Sequence, residues 1–160
     1  MEGENIIITG ANRGIGKELV KVFAEAGANI WACMRKENED FISWKSELEQ
    51  IHNVWIKTVC FDITDSESFD IGIKSILDEN IKIDVLINNA GISTVKLLNK
   101  SKLEEVKALF NVNYFSMLNM IQKISKKMVR QKSGVIINMG SIAGIEPQPG
   151  KIAYGSSKAA

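Results

Sequence analysis

The chain has 160 residues, of which 45% are hydrophobic and 24% are charged. A chain of this length suffices for one domain that buries about two-thirds of its unfolded surface. Its 20 basic and 19 acidic side chains give a formal net charge of +1. Such a balance lacks the excess of positive charge that attracts nucleic acid or an anionic membrane, and we expect neither as a partner.

Other gross features exclude further classes of protein. The acidic N-terminal sequence runs directly into an apolar strand pattern, unlike a secretory signal, and no apolar run approaches bilayer length. Cys33 and Cys60 stand apart at the ends of predicted strands and are expected to be small core residues in a reducing compartment. With His52 as the single histidine, we expect no metal site. We therefore expect a cytoplasmic protein.

Apolar runs alternate with amphipathic runs along the whole chain. The predicted strands are residues 5–9, 29–34, 54–61, 85–88 and 134–139. The predicted helices are residues 15–26, 39–50, 66–79 and 101–132. This alternation predicts right-handed βαβ units and a doubly wound parallel sheet between two helical layers, the three-layer α/β/α Rossmann fold. Because no linker interrupts the pattern, residues 1–160 are predicted to form a single NAD(P)-binding domain.

Capping residues mark several of the predicted helix ends. Asp65 or Ser66 can cap the start of the third helix. Ser101 with Glu104 is the pattern of a capping box for the fourth helix. Gly27 suits a left-handed cap just past the end of the first helix.

A glycine-rich turn joins the first predicted strand to the first predicted helix. Residues 9–16 read Thr-Gly-Ala-Asn-Arg-Gly-Ile-Gly, which has the spacing Gly-x-x-x-Gly-x-Gly. Glycines allow a tight turn and close approach of a phosphate, and the helix start offers unpaired N–H groups. Glycines also serve ordinary turns, but a strand before and a helix after favour a pyrophosphate site. The predicted cofactor contacts here are Gly10, Asn12, Arg13, Gly14, Ile15 and Gly16.

The end of the second predicted strand bears on the choice of cofactor. In sheets of this kind an acidic residue there bonds the ribose 2′-OH of NAD, whereas a basic residue accepts the 2′-phosphate of NADP. Here the strand ends at Arg35 and Lys36 without a carboxylate, and Arg13 faces the same region. These cations could equally be solvated loop charges. Since guanidinium groups suit phosphate, we predict NADP, with Arg35 as a contact.

Two further strand ends carry candidate cofactor contacts. Asn89, Ala90 and Gly91 follow the fourth strand, where an amide could bond backbone across the sheet edge and small residues would admit a ribose. A purely structural turn is the alternative, and both can hold. Asp62 and Ile63 follow the third strand and would face the adenine by the same geometry. Their alternative is a helix-capping turn.

The candidate catalytic residues lie near the end of the chain. Tyr154 and Lys158 are four residues apart, so they share one face of a helix. An ammonium beside a phenol favours the phenolate, which suits a general acid for a carbonyl oxygen. Chance occurrence is the alternative for this pair taken alone. Ser141, on the loop after the fifth strand, adds a hydroxyl where an oxyanion needs a donor.

Taken together, four motifs resemble the short-chain dehydrogenase/reductase family over the whole chain. They are the glycine turn at 9–16, Asn-Asn-Ala-Gly at 88–91, Ser141, and Tyr154-x-x-x-Lys158, in the order and spacing of the family. The form is the one typical of bacterial 3-oxoacyl-[acyl-carrier-protein] reductases. The resemblance implies that the protein transfers a hydride between a nicotinamide cofactor and its substrate.

The resemblance also implies a role for each catalytic residue. Tyr154 would donate the proton, and Ser141 would orient the substrate carbonyl. Lys158 would hold the nicotinamide ribose, so that it and Tyr154 both contact the cofactor. Spacing to the following strand places the catalytic asparagine of the family at Asn113, which would anchor a water linking the lysine to solvent.

The predicted function is therefore that of an NADPH-dependent oxidoreductase that reduces a carbonyl to a secondary alcohol, or catalyses the reverse reaction. Its substrate would be a small-molecule or acyl-carrier-bound carbonyl. The alternatives are a steroid, a sugar or another small alcohol as substrate, or a noncatalytic nucleotide-binding fragment. Members of the family continue beyond the position of Ala160, so we expect the domain to lack its C-terminal strands and helices. In full-length form the resemblance implies a homodimer or homotetramer.

Overall fold

The computed structural model describes residues 1–160, with five parallel strands in one sheet in the order β3-β2-β1-β4-β5. The strands are β1 (Asn5–Thr9), β2 (Asn29–Met34), β3 (Ile56–Cys60), β4 (Val85–Asn88) and β5 (Val135–Asn138). The helices are α1 (Gly14–Glu25), α2 (Glu39–His52), α3 (Ser66–Asp78), α4 (Leu103–Phe110), α5 (Ser116–Gln131) and α6 (Ile152–Ala159). The predicted doubly wound fold is confirmed, and the strand order reverses between β1 and β4. No helix is both long and apolar enough to span a bilayer.

Both faces of the central strands β1, β2 and β4 are buried, which explains their nearly continuous apolar sequence. Ile6 and Ile8 of β1 pack with Val20 of α1 and Phe41 of α2 on one face. Ile7 points to the opposite face, where it joins a cluster that includes residues of α3 and α5. Side chains of a strand alternate between faces, so β1 holds the two halves of the core together.

The helix predicted over residues 101–132 is helical from Leu103 to Gln131, but it is not α-helical throughout. A π-helical turn, Asn111–Phe115, separates α4 from α5. The hydroxyl of Ser116, the first residue of α5, donates to the carbonyl oxygen of Asn111 at 2.6 Å. The apolar spacing runs through this segment without a break, so periodicity alone could not reveal it. Such turns often occur at functional sites, and this one contains Asn113.

The capping box predicted at Ser101 and Glu104 is wrong by one residue. The N-cap of α4 is Lys102, whose backbone N–H donates to the Glu105 carboxylate at 3.0 Å. The Ser101 hydroxyl instead donates to the carbonyl oxygen of Leu97 at 3.1 Å. The hydroxyl is used by the preceding 3₁₀ turn, so the helix starts one residue later.

Of the other local predictions, those for Asp65, Gly27 and Cys33 are confirmed and the one for Cys60 is wrong. Asp65 caps α3 by accepting a hydrogen bond from the backbone N–H of Ser68 at 2.7 Å. Gly27 follows α1 with a φ of +81°. Cys33 is buried, and this burial raises the pKa of its thiol, but Cys60 is exposed. Because β3 is an edge strand, its last residue has a neighbouring strand on one side only and is less covered than the residues of a central strand.

A partly buried carboxylate, that of Asp84, connects the start of β4 to the start of β1. Asp84 accepts a hydrogen bond from the backbone N–H of Asn5 at 3.0 Å and pairs with Lys82. Its partial burial alone would raise the pKa of Asp84, but the Lys82 ammonium and the Asn5 N–H outweigh burial and lower it. The ionised form is therefore the one that stabilises the fold.

Replacement of Asp84 by asparagine is expected to lower the free energy of unfolding at pH 7 by about 1 kcal/mol, because hydrogen bonds to a charged acceptor are the stronger ones. Since the pKa of Asp84 is lowered in the folded protein, its contribution is present above the pKa of the unfolded chain, about 3.9. The difference from the wild type should vanish as the pH falls through the folded pKa. Urea unfolding of both proteins, at pH 7 and at a pH below the folded pKa of Asp84, measures this difference in the free energy of unfolding. Asp78→Asn, at an exposed residue without an ion pair, is the control, and equal effects would contradict the assignment.

Candidate cofactor and catalytic site

The turn after β1 has a backbone that favours glycine. Gly10 and Gly14 have φ values of +68° and +53°, in the left-handed region. A Cβ on Gly16 would lie 2.0 Å from the carbonyl oxygen of Gly10. The N-cap residue of α1, Arg13, provides no side-chain cap, so its side chain does not occupy the first N–H groups of the helix. These groups are thus free for an anion at the positive end of the helix dipole.

A cleft of about 750 Å³ opens above the carboxyl ends of the strands, at the point where the strand order reverses. Its size lies within the range of cofactor sites. Among the predicted cofactor residues, those that line it are Gly10, Asn12, Arg13, Gly14, Ile15, Gly16, Arg35, Asp62, Ile63, Asn89, Ala90 and Gly91. The lining residues that sequence reasoning missed are Thr9, Cys33, Met34, Phe61, Thr64, Ile92 and Val112. Thr9, Cys33, Met34 and Phe61 lie at or next to a predicted strand end, which was the available signal, whereas Thr64, Ile92 and Val112 lie further along the chain.

Thr9 and Asn89 fasten the ends of β1 and β4 together at the floor of the cleft. The Asn89 side-chain amide donates to the carbonyl oxygens of Thr9 at 2.9 Å and Gly10 at 3.3 Å. The Thr9 hydroxyl oxygen accepts from the backbone N–H groups of Asn89 and Ala90, both at 3.0 Å. These bonds satisfy backbone groups that have left the sheet, and they fix the shape of the crevice.

The part of the cleft expected to face the adenine contains one acid and one base. Asp62 accepts hydrogen bonds from the Thr64 hydroxyl at 2.7 Å and the Thr64 N–H at 2.8 Å. These two bonds, aided by the charge of Arg35, lower the pKa of Asp62. The residue thus forms a local turn and also lines the cleft, so the two alternatives weighed for it are compatible. Arg35 is exposed in the lining, whereas its neighbour Lys36 is not part of it.

Lys158 reaches the sheet from α6. Its Nζ donates to the carbonyl oxygen of Met139, just past β5, at 2.7 Å. A Cβ on Gly91, just past β4, would lie 3.6 Å from the same Nζ. The ammonium therefore lies between the ends of β4 and β5, next to the lining residue Gly91. Tyr154, one helical turn earlier on α6, is half-buried.

Ser141 and α6 are brought together by close backbone packing. The Ser141 hydroxyl oxygen accepts from the Ala143 N–H at 3.2 Å, which caps a short 3₁₀ turn, Ile142–Gly144. Its own hydrogen remains available to donate. Gly155 of α6 lies against this turn so closely that a Cβ there would be 2.4 Å from the carbonyl oxygen of Ala143. Ser141, Tyr154 and Lys158 are not part of the lining of the cleft of about 750 Å³, and Lys158 is the one of the three that lies next to a lining residue, Gly91.

Asn113 connects the π-helical turn to both α6 and the loop after β4. Its side-chain oxygen accepts from the Ile92 N–H at 2.8 Å. Its amide donates to the carbonyl oxygen of Ile92 and to the Ser157 hydroxyl, both at 2.9 Å. Ser157 in turn donates to the carbonyl oxygen of Tyr154 at 2.8 Å. Since both amide hydrogens are used, one lone pair of the side-chain oxygen is the only side-chain position left for the water expected there.

A parallel sheet with a glycine turn and a crevice at the reversal of strand order defines a dinucleotide-binding Rossmann protein. The sequence model of the short chain dehydrogenase family matches residues 4–160. The chain belongs to this family, as the four motifs predicted. Members of the family bind a nicotinamide cofactor.

The chain is similar to curated bacterial enzymes named 3-oxoacyl-[acyl-carrier-protein] reductase. That of Thermotoga maritima is 36% identical over 160 residues, which are 99% of this chain and 64% of that protein. That of Chlamydia trachomatis is 33% identical over 155 residues, covering 96% of this chain and 61% of that protein. The chain thus spans just under two-thirds of the length of these relatives.

Solved structures agree with the fold. A metagenomic short-chain oxidoreductase in complex with NADP has a TM-score of 0.89 at 28% identity, over 98% of this chain and 71% of that one. A bulky-bulky ketone specific alcohol dehydrogenase from Comamonas testosteroni has a TM-score of 0.88 at 26% identity, over 99% of this chain and 63% of that one.

Proposed function

We propose that this protein is an NADPH-dependent oxidoreductase that reduces a carbonyl to a secondary alcohol, or catalyses the reverse reaction. The observation that carries the proposal is the position of the Lys158 ammonium, next to the cofactor-sized cleft and one helical turn from Tyr154. The cleft, its glycine turn and the family assignment support the nicotinamide cofactor. When bound, that cofactor supplies or accepts the hydride.

The side chains near the cleft then donate the proton and orient the carbonyl group of the substrate. Tyr154 gives a proton to the carbonyl oxygen as the alkoxide develops. The free hydrogen of Ser141 donates to the same oxygen and orients the substrate. Lys158 provides a positive charge that stabilises the phenolate left behind, and it holds the ribose of the cofactor. Asn113 keeps α6 in register with the loop after β4 through its bonds to Ile92 and Ser157.

We propose NADPH rather than NADH because the lining contains Arg35 and Arg13 but no carboxylate from the segment after β2. The structural relative solved with NADP supports this choice. A guanidinium can bind the 2′-phosphate with two parallel hydrogen bonds, which a ribose hydroxyl cannot replace.

Replacement of Arg35 by aspartate is expected to shift cofactor preference from NADPH toward NADH by at least about tenfold, since a charged hydrogen bond contributes about 1.5–3 kcal/mol. Fluorescence titration of each reduced cofactor gives the two dissociation constants. Lys36→Asp is the matched control. It makes the same change of charge one residue further along the chain, at a residue that does not line the cleft. If both variants change the ratio equally, or neither does, Arg35 is not the phosphate contact.

For the substrate we propose a 3-oxoacyl thioester on an acyl carrier, as the names of the curated relatives suggest. A bulky ketone is the second candidate, favoured by the structural relative specific for such ketones. A panel of 3-oxoacyl thioesters, bulky ketones, steroids and sugars, assayed by NADPH oxidation on the product of the whole coding region, tests this. Higher kcat/KM on another class of substrate than on the thioesters would overturn the proposal.

A further inference from the structure

The connection between β2 and α2 contains one carboxylate that lies close to the proposed phosphate contact but outside the cleft. Glu37 is two residues beyond Arg35, so their Cα atoms are at most about 7 Å apart. Arg35 lines the cleft, and Glu37 does not. The Glu37 side chain is 26% exposed and is therefore partly withdrawn from water.

Two side chains from different elements hold this carboxylate in place. The Thr58 hydroxyl of β3 donates to one of its oxygens. The Nζ of Lys45, on α2, lies 3.7 Å from the same oxygen. Lys45 is itself fixed, because its Nζ also donates to the carbonyl oxygen of Ile56 at 3.2 Å and its side chain is only 18% exposed.

The direction in which Glu37 is held follows from the strand register. Thr58 is paired with Ala32 of β2, and side chains paired across parallel strands lie on the same face. Ala32 packs in the cluster that contains the residues of α1 and α2. The Glu37 carboxylate is therefore held on the helix-covered face beside β3, while Arg35 is left at the carboxyl edge of the sheet.

We propose that Lys45 and Thr58 are positioning residues for cofactor selectivity, which they secure by holding the Glu37 carboxylate away from the 2′-phosphate of NADPH. This inference rests on the proposed NADPH-dependent function. A released carboxylate near Arg35 would repel the phosphate and compete for the guanidinium. It would also offer the acceptor that a ribose 2′-OH prefers. Selectivity thus depends on where an acid is held as well as on the presence of a base.

Lys45→Met tests the proposal, because it removes the ammonium and keeps the aliphatic stem. Titration of the chain with NADPH and with NADH, followed by fluorescence, should show a dissociation constant for NADPH raised about tenfold and one for NADH unchanged or lowered. The double variant Lys45→Met with Glu37→Gln should restore the wild-type ratio, since no carboxylate is then released. Thr58→Val, which keeps the shape of the side chain, should shift the ratio in the same direction by a smaller factor. Circular dichroism checks that each variant is folded.

The outcomes separate this inference from the proposed function. Equal weakening of NADPH and NADH binding by Lys45→Met, without rescue in the double variant, means a purely structural role and overturns the inference alone. If Lys45→Met does not fold, an unchanged ratio in Thr58→Val overturns it. If the unmodified chain binds neither cofactor, or prefers NADH, the proposed cofactor fails and the inference fails with it.

Discussion

Replacement of Tyr154 by phenylalanine is expected to reduce turnover about 10²–10⁴-fold, the usual contribution of a positioned general acid. The ring remains, so the packing of α6 should hold, but no proton can be given to the developing alkoxide. NADPH should still bind with nearly unchanged affinity, because the glycine turn, Arg35 and the other residues that line the cleft are left intact. Steady-state kinetics on the product of the whole coding region, with NADPH titration beside it, measures both quantities.

The chain offers a matched control, since Tyr114 is the other of its two tyrosines. Tyr114 lies in the π-helical turn, with its ring edge-on to that of Phe115 at a centroid distance of 5.2 Å. Tyr114→Phe makes the same chemical change at a half-buried residue with no assigned part in the chemistry, and it should leave turnover within about twofold of the wild type, since substitutions away from special features usually cost no more than about 0.5 kcal/mol. Unchanged turnover in Tyr154→Phe, or an equal loss in both variants, would refute the catalytic assignment.

The central strands could be predicted from the sequence because both of their faces are buried. The bounds predicted for β1, β2 and β4, residues 5–9, 29–34 and 85–88, are those of the structure. At the edges of the sheet the predictions were too long, by three residues for β3 and two for β5. The extra residues include Trp55, Phe61 and Met139, whose backbone groups still bond to the neighbouring strand although they lie beyond the assigned ends of β3 and β5.

The parts of the candidate site that could be predicted are those that depend on local backbone geometry. The positive φ values of Gly10 and Gly14 belong to residue types that adopt them readily, so the turn could be identified from its spacing. The hydrogen bonds between Thr9 and Asn89 connect residues 80 positions apart in the sequence, and no local sequence pattern encodes them. Likewise the π-helical turn at Asn111–Phe115 leaves the apolar periodicity intact, so its effect on the side chain of Asn113 required the structure.

Gly16→Ala should have the other large effect, because the added Cβ meets groups that cannot move aside. It would lie 2.0 Å from the carbonyl oxygen of Gly10 and 2.6 Å from the side-chain amide nitrogen of Asn89. Both atoms belong to the floor of the cleft. To avoid the clash, either the glycine turn must open or the hydrogen bonds between Asn89 and the turn must break. We expect a loss of about 1–3 kcal/mol in the free energy of unfolding and an NADPH affinity too weak to measure by fluorescence titration.

Gly3→Ala and Gly14→Ala separate the clash from the cost of backbone strain. Both glycines have positive φ, +74° and +53°, and a Cβ on either would meet nothing within 4 Å. Each alanine therefore costs about 1–2 kcal/mol of strain without a collision. Gly3→Ala, remote from the cleft, should lower stability yet bind NADPH normally, whereas Gly14→Ala should weaken binding as well. Urea unfolding and NADPH titration of the three variants give the comparison. If Gly16→Ala binds NADPH as well as Gly3→Ala does, the close approach of α1 to the turn does not shape the cofactor site.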